Sequence, residues 1–213
     1  MRLVMPRLYV ILDAGLIHRP ILEFAQQLIG AGVRILQYRD KAGTAAAMLQ
    51  AAKALARASN EAGVSFFVND RSDVAFLAGA TGVHVGQDDL SVEQARSIVG
   101  PNRWVGVSTH NREQFARAAS TSADYIAIGP IFATKSKANP DPVVGMDLIR
   151  ELRPMTDKPI VAIGGIQFDR VEGILRAGAD SVAVISDILL APDPIERARQ
   201  FVQKLEAINL SGD

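Results

Sequence analysis

Short apolar runs alternate along the chain with longer stretches in which apolar residues recur at helical spacing. Eight runs stand out: Arg7–Asp13, Val33–Arg39, Ser65–Asp70, Gly82–Gly86, Trp104–Ser108, Asp124–Gly129, Pro159–Gly165 and Asp180–Ser186. They are rich in Val and Ile and not strictly alternating, as expected of strands covered by helices. The segment after the second run shows the other period. Met48, Leu49, Ala52, Leu55 and Ala56 share one helix face, and Gln50, Lys53, Arg57 and Glu61 lie mostly on the other. Thr44 predicts its N-cap and Gly63 its stop. Ser91 with Gln94 predicts a capping box for the fourth helix, and Asp193, Pro194 and Glu196 a similar start for the last. Eight β-then-α units spaced by about 25 residues predict an α/β fold, a (β/α)8 TIM barrel forming a single domain over residues 1–213.

In such a barrel the chemistry lies at the C-terminal ends of the strands. That directs attention to Gln37, Arg39, Lys41, Asn69, Asp70, Asp89, Ser108, Gly165 and Ser186. One connection on that face, Gly129 to Gly145, is far longer than an ordinary βα loop and carries three prolines and two lysines. Loops of this kind are commonly lids or binding loops, the alternative being a decorative insertion.

Composition narrows the function. Formal net charge is zero, which gives no reason to expect nucleic acid or an anionic membrane as partner. There is no cysteine, hence no disulfide framework and no thiolate chemistry. No apolar run approaches the roughly 20 residues that span a bilayer. A cytoplasmic enzyme acting on small molecules is the plain expectation, and oligomeric state stays open.

Two pairs that carry carboxylates follow neighbouring strands, Asn69-Asp70 and Asp88-Asp89. Carboxylates from adjacent strand ends suit Mg2+, which takes one or two of them with substrate phosphates and water. Helix capping by Asp70 and Asp88 is the competing reading. The residues alone do not choose between Asp88 and Asp89. Arg39 and Lys41 project the same way if the strand continues, and a guanidinium with an ammonium beside a metal site suits pyrophosphate. Lys137 in the long loop would add a third positive charge. Gly164-Gly165 and Ile185-Ser186 end the last two strands, where many barrels bind phosphate. The histidines carry less: His84 inside a strand and His18 at a helix start read as structural, and His110 lies near the mouth.

Taken together, Q-Y-R-D-K, V-N-D, G-V-H-V-G-Q-D-D-L, G-V-S-T-H, D-Y-I-A-I-G-P-I-F-A-T-K-S-K, V-A-I-G-G-I and G-A-D-S-V-A-V-I-S resemble, in order and spacing, the thiamine phosphate synthase family over about residues 8 to 205. The resemblance implies a transferase of thiamine biosynthesis. It would couple a hydroxymethylpyrimidine diphosphate to a thiazole phosphate and release pyrophosphate. It implies that Gln37, Tyr38, Arg39, Asp40 and Lys41 hold the pyrimidine diphosphate, with Asn69, Ser108 and Lys137 on the same substrate. It assigns Mg2+ to Asp70 and Asp89, making Asp88 the variable position. It sets Thr134, Lys135, Ser136, Gly165, Ile185 and Ser186 on the thiazole phosphate. Arg39, Lys41, Ser108 and Lys137 would then be the catalytic set. Ala133 and Ser136 depart from the proline and threonine often found there. The thiazole tautomerase, a sister group on the same barrel, is the alternative, but the intact N-D, G-Q-D-D and T-K-S-K favour the synthase.

Overall fold

All eight apolar runs form parallel strands, seven of them shorter than the run by one to three residues because the ends turn into loops, and the fifth longer by one, Thr109. The computed structural model describes residues 5–134 and 141–209. The strands are β1 (Leu8–Asp13), β2 (Ile35–Arg39), β3 (Ser65–Asn69), β4 (Gly82–Val85), β5 (Trp104–Thr109), β6 (Tyr125–Ile128), β7 (Ile160–Ile163) and β8 (Ser181–Val184). They close in sequence order, β8 pairing back onto β1 through Leu8 with Val182 and Val10 with Val184. Helices α1 (Ile21–Gly30), α2 (Ala45–Glu61), α3 (Ser72–Ala78), α4 (Val92–Val99), α5 (Arg112–Ala119), α6 (Gly145–Leu152) and α7 (Val171–Arg176) fill the connections. A short α8 (Ser186–Leu189) and α9 (Pro194–Ala207) follow the last strand.

Helix punctuation follows local chemistry. The Thr44 side chain accepts from the Ala47 backbone N–H at 3.3 Å, and Gly63 leaves α2 with φ +65°. Ser91 and Gln94 form the reciprocal capping box of α4. Asp193 caps α9 through the backbone N–H groups of Ile195 and Glu196, with Pro194 in the first turn. Glu196 does not complete a box there; its carboxylate pairs with Arg199 instead.

The lack of strict alternation in the strands has a simple cause: both faces are apolar. One face packs on the helices through residues such as Val10, Leu36, Val68, Val83, Val105, Ile126, Ala162 and Val182. The other fills the barrel with Met5, Tyr9, Ile11, Ile35, Phe67, Tyr125, Ala127, Val161 and Ala183. Two interior positions are glycine because large rings lie over them. A Cβ on Gly82 would sit 2.6 Å from the Phe67 ring, and one on Gly106 would sit 2.0 Å from Tyr125 Cζ. The apolar plug ends about midway, and polar side chains take over toward the C-terminal mouth.

Candidate active site

The mouth opens into a cavity of about 400 Å³. Gln37, Arg39, Lys41, Asn69, Asp70, Asp88, Asp89, Ser108, His110, Thr134, Gly165, Ile185 and Ser186 all line it. Strand alternation selects them: Gln37 and Arg39 share the interior face of β2, whereas Tyr38 between them points outward. Tyr38 is therefore placed among the side chains between sheet and helices, not in the cavity, and its hydroxyl donates to Asp40 at 3.0 Å. Asp40 is likewise engaged in the turn, accepting from the Ala42 and Gly43 backbone N–H groups at 3.0 and 2.7 Å. Those donors, with Tyr38, hold its carboxyl below the usual range against the opposing effect of burial. Lys135, Ser136 and Lys137 lie outside the described residues.

On one wall stand the acids. Asp70 follows β3 with φ +63°, a left-handed conformation uncommon outside glycine, and its backbone N–H donates to the His84 carbonyl at 2.7 Å. Neither Asp70 nor Asp88 caps a helix: α3 starts after Arg71 without a side-chain cap, and α4 is capped by Ser91. Lys41 Nζ reaches Asp70 Oδ2 at 2.5 Å. Asp89 accepts from the Gly86 backbone N–H at 2.7 Å and has the Asp70 carboxyl as its neighbour. Burial, then the Asp70 carboxyl beside it, raises the Asp89 pKa above the usual carboxylate range. Asp88 carries no such contact.

Two crowded carboxylates with an ammonium drawn onto one of them form a site built for positive charge. Among the described residues no cluster of three or more His, Cys, Asp or Glu side chains gathers. Asp70 and Asp89 offer two carboxylates, a hard oxygen donor pair that fits Mg2+ completing its shell with water and phosphate oxygens. Arg39, the second cation, is paired with Asp13, which also accepts from the Gly15 backbone N–H at 3.0 Å. Both side chains are mostly buried, so the guanidinium is aimed rather than free.

The opposite wall is backbone. Gly164 and Gly165 adopt φ +95° and +63°. A Cβ on Gly164 would sit 2.5 Å from Pro130 Cβ, and one on Gly165 would sit 2.4 Å from the Ala133 carbonyl oxygen. The turn after β7 must be glycine so that the start of the long loop can lie on it. That loop is tied down by Ile131 N–H to the Ile163 carbonyl at 2.9 Å and Phe132 N–H to the Gly164 carbonyl at 3.0 Å. Ser186 opens α8 beside them.

The floor holds residues that sequence reasoning missed. Gln37 Nε2 donates to the Tyr9 hydroxyl at 2.9 Å, and that hydroxyl lies 3.1 Å from the Tyr125 hydroxyl. Tyr125 reaches His84 Nδ1 at 2.8 Å, and His84 Nε2 reaches Ser108 Oγ at 2.8 Å. Burial lowers the His84 pKa to about 4, leaving the ring neutral. His84 is structural in being buried, yet it touches a predicted substrate contact. Gln87 donates to the Ser108 carbonyl at 2.6 Å. His110 Nδ1 donates to the Gly129 carbonyl at 2.6 Å while Nε2 faces Asp141 at 3.5 Å. His18 is exposed and precedes α1 rather than starting it.

The geometry agrees with comparison to known proteins. A family model described as thiamine monophosphate synthase matches residues 8–188. A thiamine-phosphate synthase of Koribacter versatilis is 51% identical over 96% of this chain and 98% of its own. One from Chloroflexus aurantiacus is 43% identical over 92% of this chain and 90% of its own. The solved thiamine phosphate pyrophosphorylase of Pyrococcus furiosus superposes with a TM-score of 0.84 at 32% identity, covering 94% of this chain and 96% of that one.

Proposed function

The chain belongs to the thiamine monophosphate synthase family, and from that premise we propose how its own residues carry the reaction. The activity is thiamine-phosphate synthesis, a transferase reaction on small molecules. The substrates in this reading are a hydroxymethylpyrimidine diphosphate and a thiazole phosphate. The observation that carries the assignment of roles is the meeting of Arg39, Lys41, Asp70 and Asp89 on one wall of a cavity whose other wall is the Gly165 and Ser186 backbone. One wall suits a diphosphate with its cation, the other a monophosphate, and a two-substrate condensation needs both.

Asp70 and Asp89 would hold Mg2+, which when bound neutralises charge on a leaving diphosphate. Arg39, aimed by Asp13, binds phosphoryl oxygens through its fork, and Lys41 shifts from Asp70 toward the same group. The bond between the pyrimidine methylene carbon and the diphosphate oxygen breaks, its electron pair leaving with the oxygen. The thiazole nitrogen then gives its lone pair to that carbon, and no proton has to move. That accords with a cavity rich in charge. Positioning and electrostatic stabilisation supply the acceleration, and the apolar lining from Ile11, Val161 and Ile163 keeps water from the cation. Asn69 and Ser108 contact the diphosphate substrate; Thr134, Gly165, Ile185 and Ser186 contact the thiazole phosphate, and Lys135, Ser136 and Lys137 act from the long loop. A cytoplasmic location belongs to the same proposal. Incubation with both substrates, following pyrophosphate release with and without Mg2+, tests the reading; release with either substrate alone would overturn it.

A further inference from the structure

Four side chains from four strands join the two sides of the cavity floor, and their chemistry gives the connection a direction. The Gln37 amide nitrogen can only donate, so the Tyr9 hydroxyl oxygen accepts from it at 2.9 Å. The Tyr9 proton then has the Tyr125 hydroxyl, 3.1 Å away, as its acceptor. Tyr125, having accepted, donates onward to His84 Nδ1 at 2.8 Å. A neutral imidazole that accepts at Nδ1 carries its proton on Nε2, which donates to Ser108 Oγ at 2.8 Å. Ser108 therefore accepts from the protein and keeps its own proton for the cavity it lines.

We propose that Gln37, Tyr9, Tyr125 and His84 form a one-way hydrogen-bond relay that presents Ser108 as a donor to the ligand. Tyr9, Tyr125 and His84 are thus positioning residues that select an acceptor oxygen, such as a phosphoryl oxygen, at that point. The proposal rests on the synthase reading for the identity of that oxygen and not for the polarity of the relay.

Packing supports more than a generic need to satisfy buried hydroxyls. Gly106 on β5 leaves the space that the Tyr125 ring and hydroxyl occupy; a Cβ there would lie 2.4 Å from the hydroxyl oxygen. The His84 and Tyr125 rings stack with centroids 5.5 Å apart, and Tyr9 and Phe67 pack against Tyr125 at 6.1 and 5.6 Å. The rings of Tyr9 and His84 are thereby packed directly against that of Tyr125. Burial also pushes both phenols well above their ordinary pKa, so their protons stay in place.

Nitrogen-15 NMR of the imidazoles in the full chain reads the relay without any substrate. The expected result is His84 protonated on Nε2 and bare on Nδ1, identified by loss of its signals in His84→Asn. A proton on Nδ1 would mean the reverse direction and would overturn the proposal. The kinetic counterpart is a double-mutant cycle. Tyr125→Phe keeps the ring and is expected to lower kcat/KM by about 3- to 10-fold, the worth of one neutral hydrogen bond. In a Ser108→Ala background the same change should cost nothing further, whereas additive losses would show that Tyr125 does not act through Ser108. Tyr9→Phe runs the same cycle should Tyr125→Phe fail to fold. Because the NMR arm needs no turnover, a chain without synthase activity would still report the relay, and the two readings fail separately.

Discussion

Asp89 and Asp70 stand as neighbours in the loops after adjacent strands, and burial followed by that neighbouring carboxyl raises the Asp89 pKa. Like charges held together in this way disfavour each other even with Lys41 on Asp70, and a divalent cation between them would relieve the repulsion. Asp70→Ala and Asp89→Ala should each nearly abolish turnover and remove any rise of Tm with added Mg2+. Asp88→Ala, whose carboxylate makes no such contact, should keep both. Thermal melts and initial rates across a Mg2+ titration check this. Collapse in Asp88→Ala with wild-type behaviour in Asp89→Ala would put the metal on the wrong aspartate.

Arg39 is held by Asp13, with side-chain exposures of 18% and 10%. Arg39→Lys replaces a planar fork by a point charge and forfeits at least one charge-assisted hydrogen bond, worth roughly 1.5–3 kcal/mol. The expected loss in kcat/KM is on the order of 10- to 150-fold. Asp13→Ala should raise KM for the diphosphate substrate and lower Tm, since it leaves a mostly buried guanidinium without its partner. Unchanged steady-state kinetics in Arg39→Lys would remove Arg39 from the phosphate-binding wall.

His84 makes stability depend on pH. Its pKa is lowered from 6.5 to about 4 by burial, so between those values the unfolded chain binds a proton that the folded one does not. Stability from this residue is therefore fully present above pH 6.5 and is lost as pH falls toward 4, by about 3 kcal/mol in all. Urea midpoints from pH 7 to 4 should fall less in His84→Gln than in the parent chain. Parallel slopes would show that His84 is not the neutral, buried group described.

Much of this was written in the pattern of the chain. Eight apolar runs ending in polar residues gave both the barrel and its chemical face, because a strand end in this fold is also a cavity wall. Tyr38 shows the limit of reading a motif as a block. Within Q-Y-R-D-K, alternation turns Gln37 and Arg39 inward and Tyr38 outward, a signal present in the sequence but overridden by the family pattern. Asp13 ends the first run and could have been found in the same way as Asp70. Gln37 and Ser108 were legible as strand-end residues, but the connections across the floor were not. Tyr9, Gln37, His84 and Tyr125 come from four strands, and only the closing of the barrel brings their polar atoms within 3.1 Å of one another.

Synthase activity is read from both products of the condensation. With the pyrimidine diphosphate, the thiazole phosphate and Mg2+ together, pyrophosphate and thiamine phosphate should appear in equal amounts, and chelation of Mg2+ should stop both. Pyrophosphate released without thiamine phosphate, or thiazole phosphate bound with no turnover at any Mg2+ concentration, would contradict the account.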